Sequence, residues 1–577
     1  MPVAMIRFGR PHRAAAVLFV ATMLAGTIFP GGLAAQADAQ GSPPKVGPPP
    51  PFVATVLKPA DIAIAVKLRD RLVQGSEAFL IAESLTSEVG PRMAGSANDA
   101  RAVAWAQAKF KELKFDKVWV QPVTYPKWVR RSESAEVLAP FPQSLRVNAL
   151  GYSKGTGATP IEAEVVEYST LAALQAAHAD DVRGRIVYIG NRMERYRDGS
   201  GYGLAVTARS GGATVASKLG AVALLIRSIG TDNNRLPHTG MGLSLSTALA
   251  DSERVAAAPR SASGLPLIET EIPAAAISNP DADLLSHLLE RGRPVRIRLA
   301  LDVGLDDEAH SHNVIGELTG TTRRDEIVLA GAHLDSWDLG TGALDDAAGI
   351  GITAAAVFHI GKLQDRPART LRVVAFANEE QGIWGGKAYA EAALKAGEKH
   401  VLVGESDFGA DRVYALRAGT GSEAQPVMRE IAAALAPVGV EWSDAPGAPG
   451  SDITALVAQG MPWFVLAQDG STLLRLSPHR QRHHRQDRQA VDRPEHRGVG
   501  RIALARRQCR CRLRSRAAAR HPVARNALVG AAQAAMLLLC GGISSRLAPL
   551  LQQARGEGIG ARRCASACAG RASPARP

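Results

Sequence analysis

The first 472 residues of this chain contain no cysteine, and all five cysteines lie between Cys509 and Cys568. No disulfide framework therefore holds the main part of the chain together. From Leu473 to the end there is no lysine and no aromatic residue, and 22 arginines stand against four carboxylates, a net charge of +18. Residues 1–472 carry −5. The net positive charge of the chain therefore comes from residues 473–577 alone. Because this part has no aromatic residues that could stack on bases, its charge indicates no specific nucleic-acid partner.

Long apolar runs are also scarce. Residues 14–29 form one, after three arginines, and two Ala-x-Ala sites follow at 35–37 and 37–39. This order is typical of a secretory signal peptide, which we predict over residues 1–39, and it predicts a secreted or periplasmic protein. An uncleaved anchor is the alternative, but a membrane span needs about 20 residues. No later segment is expected to reach that length, so no span is expected after cleavage.

Differences in composition and apolar pattern divide the chain after residue 39 into segments. Residues 40–59 are rich in proline and predict an extended linker. Residues 130–302 carry short Val/Ile/Leu runs between glycine-rich turns, which predicts a separate β-rich unit inserted into the chain. The flanking segments, 60–129 and 303–472, would form one α/β domain. In the second of them, short apolar strands alternate with helices, which predicts a three-layer, mostly parallel sheet covered on both faces.

Histidine or carboxylate residues follow three predicted strands of this sheet, and another carboxylate opens the helix after a glycine-rich turn. Because the carboxyl ends of parallel strands meet at one edge, we expect these side chains to lie together. Taken singly, each has an ordinary structural interpretation, such as a hydrogen-bonded histidine, a solvated glutamate pair or a helix cap. Their recurrence at consecutive strand ends favours one shared site. The residues are His333 and Asp335, then Asp345, then Glu379 and Glu380, then Asp407.

These residue types suit two zinc ions. Zinc binds histidine nitrogen and carboxylate oxygen and keeps a position for water in catalytic sites. One carboxylate can bridge two metals. Asp335 lies two residues past His333 and is placed to orient its ring. Of two adjacent glutamates, one can bind metal while the other acts as general base. The alternative, a phosphate loop at Gly340–Gly349, lacks a Gly-Lys-Ser/Thr ending and contains two aspartates.

The stretch His333–Gly349, together with Asn378–Gly382 and Glu405–Asp407, resembles the co-catalytic di-zinc exopeptidases. That family includes bacterial leucyl aminopeptidases and carboxypeptidase Q, and the likeness is greatest to the carboxypeptidase Q branch. The segment Val89–Ser96 resembles the start of the catalytic domain of that branch. Residues 130–302 resemble the protease-associated domain that is inserted in it.

The resemblance implies a role for each residue of the predicted site. It implies that His333, Asp345 and Asp407 bind one zinc ion, and that Asp345 and Glu380 bind the other. Glu379 would be the general base.

The resemblance also places Ser451 and Asp452 near the substrate. The implied function is a zinc metallopeptidase that hydrolyses dipeptides or short peptides as an exopeptidase, either a dipeptidase or an aminopeptidase. A non-catalytic binding protein on the same fold is one alternative, and a nucleic-acid or membrane-surface binder that acts through the basic tail is another. A homodimer is left open.

The family pattern breaks after the strand predicted at 463–467. The resemblance implies one more zinc-binding histidine there, in a His-His-Thr-like segment, but the chain continues from Leu473 into arginine-rich sequence. Legal codons for residues 473–488, read one base later, encode Tyr-Phe-Asp-Tyr-His-His-Thr-Ala-Asn-Asp-Thr-Ile-Asp-Lys-Ile-Asp. We infer one extra nucleotide near codon 473. Residues 473–577 would then be an out-of-frame, disordered basic tail, and the chain with this tail would lack a zinc ligand encoded near codons 477 and 478.

Overall fold

The computed structural model describes residues 57–445, 447–471 and 534–535. The predicted signal peptide (1–39), most of the predicted linker and nearly all of the predicted tail lie outside the described residues, so these three remain predictions.

The strands and helices of the described residues form one large mixed sheet with helices on both faces. The strands are β1 (Lys117–Ala139), β2 (Gln143–Leu145), β3 (Val147–Ala149), β4 (Ile161–Tyr168), β5 (Ile186–Ile189), β6 (Ala223–Arg227), β7 (Ala274–Ile277), β8 (Arg296–Leu318), β9 (Arg323–His333), β10 (Arg369–Phe376), β11 (Lys399–Glu405), β12 (Val413–Gly419), β13 (Glu441–Trp442) and β14 (Trp463–Gln468). The α-helices are α1 (Pro59–Val73), α2 (Ala78–Ser84), α3 (Ala97–Glu112), α4 (Leu171–Gln175), α5 (Ala179–Val182), α6 (Ser200–Lys218), α7 (Leu245–Ala250), α8 (Ser252–Ala257), α9 (Asn279–Glu290), α10 (Ala348–Gly361), α11 (Trp384–Ala396), α12 (Gln425–Leu435) and α13 (Thr454–Ala458).

The strand order is β13-β12-β14-β11-β9-β10-β8-β4-β5-β6-β7-β3, with β1 beside β8 and β2 beside β1. In the main part of the sheet, β14, β11, β9 and β10 run parallel to their neighbours in that series. This arrangement confirms the parallel sheet that the alternation of apolar runs and helices predicted. It also brings the carboxyl ends of β9, β10 and β11 to one edge.

The main sheet is covered on both faces, as the three-layer prediction requires. Along β9, Val328 and Ala330 pack into the core that contains α1, α2, α3 and α10. Their neighbours Ile327 and Leu329 face the opposite side and pack with Tyr389 of α11. Since successive residues of a strand point to opposite faces, an uninterrupted apolar run is the pattern that a strand buried on both faces needs.

A long antiparallel ribbon leads from the main sheet into the inserted part of the chain. Its strands β1 and β8 have 23 residues each and pair from Lys117 with Glu317 to Ala139 with Arg296. The predicted domain boundaries at 130 and 302 fall inside both strands, at nearly the same level of the ribbon. The chain segment between the two strands, residues 140–295, is called the insert below.

The insert is a mixed α/β unit. Its strands β4, β5, β6 and β7 are parallel, and β5 and β6 are formed by short Val/Ile/Leu runs of the kind noted in the sequence. Six helices, α4 to α9, accompany them in the described chain, so the prediction of a β-rich unit is wrong in this respect. Parallel strands need crossover connections, and helices normally supply them. The longest helix, α6, is rich in Gly, Ala and Ser and shows little apolar periodicity.

One described helical segment, Ala343–Gly361, is long and apolar enough by length and composition to cross a membrane. The expectation that no segment after the signal peptide would qualify is therefore wrong on those two criteria. However, 78% of this segment is buried inside the protein, where α10 packs against the sheet and α2. Such burial is typical of a core helix.

Candidate active site

The predicted histidine lies at the carboxyl end of β9 and is fully buried. His333 Nε2 is 2.9 Å from Asp345 Oδ1 and 3.5 Å from Asp407 Oδ1. On the other side of the ring, Nδ1 lies 3.1 Å from the backbone carbonyl oxygen of Asp335. A carbonyl only accepts, so Nδ1 carries the proton and Nε2 is left as the ligand atom, which faces the two aspartates.

Asp335 orients this histidine through its backbone, whereas its side chain holds a different part of the site. The shortest distance from its carboxylate to His333 Nδ1 is 3.5 Å. The two carboxylate oxygens accept hydrogen bonds from the backbone N–H groups of Glu379, at 3.0 Å, and Glu380, at 3.3 Å. The sequence-based prediction assigned the histidine contact to the side chain. In the structure the Asp335 carboxylate fixes the turn that carries the glutamate pair.

Asp345 and Asp346 lie in the turn before α10 and point to different partners. Asp345 has an extended backbone, with φ −132° and ψ 88°, and its side chain turns toward His333. Asp346 accepts hydrogen bonds from the backbone N–H groups of Gly349, at 2.9 Å, and His333, at 3.2 Å. Asp346 is therefore the residue that caps the start of α10, a role that an aspartate at this place often has. This frees Asp345 for another function.

A close approach of two elements brings Asp407 into the site. Gly349, at the start of α10, lies against the end of β11, and a Cβ atom there would stand 1.9 Å from the backbone oxygen of Ser406. Only glycine leaves room for this approach. Ser406 is followed directly by Asp407, so the helix and the strand end together set the position of that carboxylate next to His333.

The described residues form two overlapping groups that could hold metal ions. The ligand atoms of His333, Asp345 and Glu380 lie within 4.8 Å of one another, and so do those of His333, Asp346 and Asp407. Donor atoms on a tetrahedral zinc ion lie about 3.3 Å apart, given bonds of about 2.0–2.1 Å. The 2.9 and 3.5 Å separations around His333 bracket that spacing. The donor set and its spacing therefore fit zinc.

Asp346 was not among the predicted ligands. The available signal was its position in the sequence, directly after Asp345. Its two oxygens already accept backbone hydrogen bonds.

Burial and mutual repulsion raise the pKa values of most carboxylates of the site; burial would also raise the pKa of Asp345, but the hydrogen bond and charge of His333 lower it. Burial raises the pKa of Glu379 to about 8. Burial, then the carboxylates of Asp345 and Glu379, raises the pKa of Glu380 well above its usual range. Burial alone would lower the pKa of His333, but nearby carboxylates, Asp407 foremost, raise it well above 6.5. Protons and divalent cations compete for such a set of carboxylates.

A cavity of about 420 Å³ opens onto this cluster. Its lining includes Asp345, Glu379, Glu380, Asp407 and Ser451 from the main part of the chain. Its size falls in the range that small-molecule sites occupy. Five of the sequence-predicted site residues thus line one cavity.

Of the two residues predicted near the substrate, only Ser451 reaches the cavity. Asp452 is fully buried, is not among the described lining residues, and donates its backbone N–H to Glu405 Oε2 at 3.0 Å. Burial, then the Glu405 carboxylate, raises the pKa of Asp452 well above its usual range. The structure therefore gives no support to a direct substrate contact by Asp452.

Arg92 holds the turn that precedes Asp345. It is fully buried, and its guanidinium donates to the backbone oxygens of Thr341, at 2.6 Å, and Gly342, at 3.0 Å. These bonds hold the glycine-rich turn that leads to Asp345. The resemblance of segment Val89–Ser96 to the family was the only signal for this arginine.

The insert also contributes to the cavity, through residues that the sequence did not single out. They include Met193, Tyr202, Ser228, Ile229, His238 and Thr239. No pattern in the sequence pointed to them, because their position depends on how the insert packs against the main sheet.

Comparison with known proteins agrees with this fold and identifies the family. The model of peptidase family M28 matches residues 313–505. Carboxypeptidase Q from Xenopus laevis is 33% identical over 409 residues, which are 71% of this chain and 80% of the frog protein. Carboxypeptidase Q from Homo sapiens is 32% identical over 385 residues, or 67% of this chain and 75% of the human protein.

A solved structure extends this agreement to three dimensions. The crystal structure of a peptidase M28 precursor from Shewanella amazonensis SB2B superposes with a TM-score of 0.69 at 38% sequence identity, and the match covers 83% of this chain and 97% of that one. Both the sequence and the fold are therefore shared over most of the chain, and this protein belongs to peptidase family M28, as a metallopeptidase homologous to carboxypeptidase Q.

Proposed function

We propose that the protein is a di-zinc exopeptidase that hydrolyses dipeptides or short peptides. The observation that carries this proposal is that Asp345, Glu379, Glu380 and Asp407 line one cavity and that the buried His333 lies next to two of them. Residues from four separate stretches of the chain meet there, and together they supply the nitrogen and oxygen donors that zinc prefers.

In this proposal His333, Asp345 and Asp407 hold one zinc ion, and Asp345 and Glu380 hold the other. Bound zinc ions would polarise the scissile carbonyl and lower the pKa of a water molecule. Asp345 suits a bridging position because its side chain faces the cavity, with 53% of its surface exposed, while its Oδ1 stays next to His333.

Glu379 is the proposed general base. It would take a proton from the attacking water and pass it to the leaving amine. Two features support this role: Glu379 lines the cavity, and its backbone is held by the Asp335 carboxylate. Burial raises its pKa to about 8, which favours a group that both accepts and returns a proton near neutral pH.

The insert would act as a protease-associated domain that covers the cleft and restricts the length of the substrate. Gly470 donates its backbone N–H to the Arg197 carbonyl at 2.8 Å, and the Arg197 guanidinium lies 4.0 Å from the Tyr414 ring centre. Gly199, with φ +74°, packs directly on Phe408. These contacts, called the clasp below, join the insert to the main part at the rim of the cavity. The signal sequence predicted over residues 1–39 would place the enzyme outside the cytoplasm.

The proposal can be tested with the purified full chain, by following zinc binding and the hydrolysis of a dipeptide library. The variant Glu379→Gln should bind zinc normally and lose about 10²- to 10⁴-fold in kcat, the usual contribution of a general base. Glu391→Gln, on the exposed face of α11, is the matched control and should leave kcat unchanged. Hydrolysis that survives Glu379→Gln at the same rate would contradict the assignment.

The second candidate function is a non-catalytic binding protein on the same fold. It is favoured by one observation, the loss of the family pattern after Thr472. Removing one base near codon 473 should restore the implied histidine and raise zinc stoichiometry toward two per chain. If the restored chain binds two zinc ions and hydrolyses no dipeptide, the binding protein is the better description.

A further inference from the structure

We propose that His238 of the insert, positioned by Arg209, binds the C-terminal carboxylate of the peptide substrate. This inference rests on the proposed function and deepens it, because it makes a free carboxyl end part of what the enzyme recognises. It would favour free dipeptides over peptides whose carboxyl end is blocked.

His238 shares the cavity with the acidic site. Among the described residues that line the cavity, it is the only one with a basic side chain, whereas Asp345, Glu379, Glu380 and Asp407 supply carboxylates. The backbone N–H of His238 donates to Ser228 Oγ at 2.7 Å, which ties its loop to the end of β6. The ring therefore sits on a supported segment.

Arg209 determines which ring nitrogen of His238 carries the proton. Arg209 Nη1 lies 3.3 Å from His238 Nε2. A guanidinium only donates hydrogen bonds, so Nε2 must accept and the ring proton must sit on Nδ1. Burial, then the charge of Arg209, lowers the pKa of His238 to about 4, so the ring is neutral in the physiological range. Within the described part of the chain, no protein group accepts from Nδ1, which leaves this N–H for a ligand.

Arg209 brings a positive charge that has no carboxylate partner within the described residues. Its remaining contacts are the Thr239 carbonyl oxygen, 3.3 Å from Nη1, and the Tyr202 ring, whose centre is 5.5 Å from the guanidinium carbon. Its Nε is buried without a hydrogen-bond partner. A half-buried cation of this kind is stabilised by an anion nearby. Because Arg209 does not itself line the cavity, its charge would act through His238, and it is a positioning residue.

The distribution of charge in the cavity favours a carboxylate at His238. His238 supplies an N–H donor and Arg209 a positive charge behind it, and together they favour an anionic group at this end of the cavity. Asp232 also lines the cavity, but its carboxylate accepts hydrogen bonds from the backbone and side-chain nitrogens of Asn234. In a dipeptide the carboxylate lies within one residue of the scissile bond, about 3.8 Å between Cα atoms, so both ends fit one cavity.

The test compares the binding of Ala-Leu with that of Ala-Leu amide, which lacks the carboxylate. Binding is measured by calorimetry on the zinc-supplied full chain that carries Glu379→Gln, so that neither ligand is cleaved. We expect the free acid to bind about 10- to 100-fold more tightly, as a charge-assisted hydrogen bond would give. Adding His238→Ala should bring the ratio of the two Kd values close to one.

Further variants separate recognition from folding. Arg209→Leu should reduce the ratio and Arg209→Lys should recover part of it, because lysine restores the donor and the charge. His178→Ala, at an exposed position of the insert, is the matched control and should not alter the ratio. Both ligands are measured on the same preparation, so partial misfolding or incomplete zinc loading affects them equally and cancels in the ratio.

The outcomes of this test are distinguishable from those of the proposed function. Equal binding of acid and amide, or a ratio unchanged by His238→Ala, overturns the inference even if the unsubstituted enzyme hydrolyses dipeptides. A ratio that depends on His238 supports it, even if no hydrolysis is found and the proposed function fails.

Discussion

The main sheet and the insert both direct the carboxyl ends of parallel strands toward one cavity, but they deliver different chemistry there. The ends of β9, β10 and β11 lead to His333, the glutamate pair and Asp407. The end of β6 leads to Ser228 and Ile229, which are neutral. In our proposals, the same geometric rule, that functional groups collect at this edge of parallel strands, would serve reaction in one region and recognition in the other.

Because of this difference, substitutions in the two regions should change different kinetic properties of the enzyme. A change at the site on the main sheet should slow the reaction for every substrate, because the proposed metal ligands and general base lie there. A change in the insert should alter which substrate is preferred, because the insert is proposed to contact the peptide away from the scissile bond.

The largest effect is expected for His333→Ala. This ring lies next to both Asp345 and Asp407, so its loss leaves the carboxylates without their shared nitrogen donor. We expect zinc affinity to fall by more than about 100-fold and hydrolysis of acid and amide substrates to be lost together. Zinc titration with a competing chelator measures the first effect. Retention of tight zinc binding would show that His333 is not a ligand.

A smaller effect, again common to all substrates, is expected for Asp335→Asn. The amide keeps one acceptor but cannot accept both N–H bonds from the glutamate turn, which should then loosen. We expect kcat to fall about 10- to 100-fold, with the preference for acid over amide unchanged. A change in that preference would mean that the main sheet also takes part in substrate recognition, and would contradict the division of roles between the two regions.

A third prediction concerns Asp99, a buried residue outside the cavity, and the dependence of folding stability on pH. Burial raises the pKa of Asp99 to about 6 in the folded protein, against 3.8 as the ordinary value. The folded state thus holds this proton more tightly, and stability is lost as pH rises from about 4 through 6. Asp99→Asn should remove this loss, which amounts to about 3 kcal/mol for a shift of this size. Urea unfolding at pH 4 to 7 measures the difference, and parallel curves for the two proteins would contradict it.

The smallest effect is expected at the clasp. Arg197→Ala removes the contacts of this side chain with the Tyr414 ring and with Asp469, whose nearest oxygen is 3.7 Å from Nε. Exposed pairs of this kind contribute about 0.2–1 kcal/mol. We expect stability to change little and KM for tripeptides to fall a few-fold relative to dipeptides. An unchanged ratio would mean that the clasp does not limit substrate length.

Most of the main sheet was predictable because its strands are buried on both faces. The mainly apolar stretch Leu371–Ala377 predicts a buried strand, and the structure has β10 over Arg369–Phe376. The length of β1 and β8 was not predictable, because the ribbon is half exposed and polar for much of its course. The helices of the insert were missed for a related reason, since α6 has little apolar periodicity to reveal it.

The sequence by itself determined the fold class and the chemical character of the site. Apolar runs that end in histidine or carboxylate residues can fold into a parallel sheet only by bringing those residues to one edge. The contacts that each side chain of the site makes follow from the tertiary structure. It turned Asp345 toward His333 and Asp346 toward the backbone, used the carbonyl of Asp335 for the histidine ring, and placed His238 in the cavity. These choices depend on turn geometry and on packing between distant segments, which residue types and spacing do not encode.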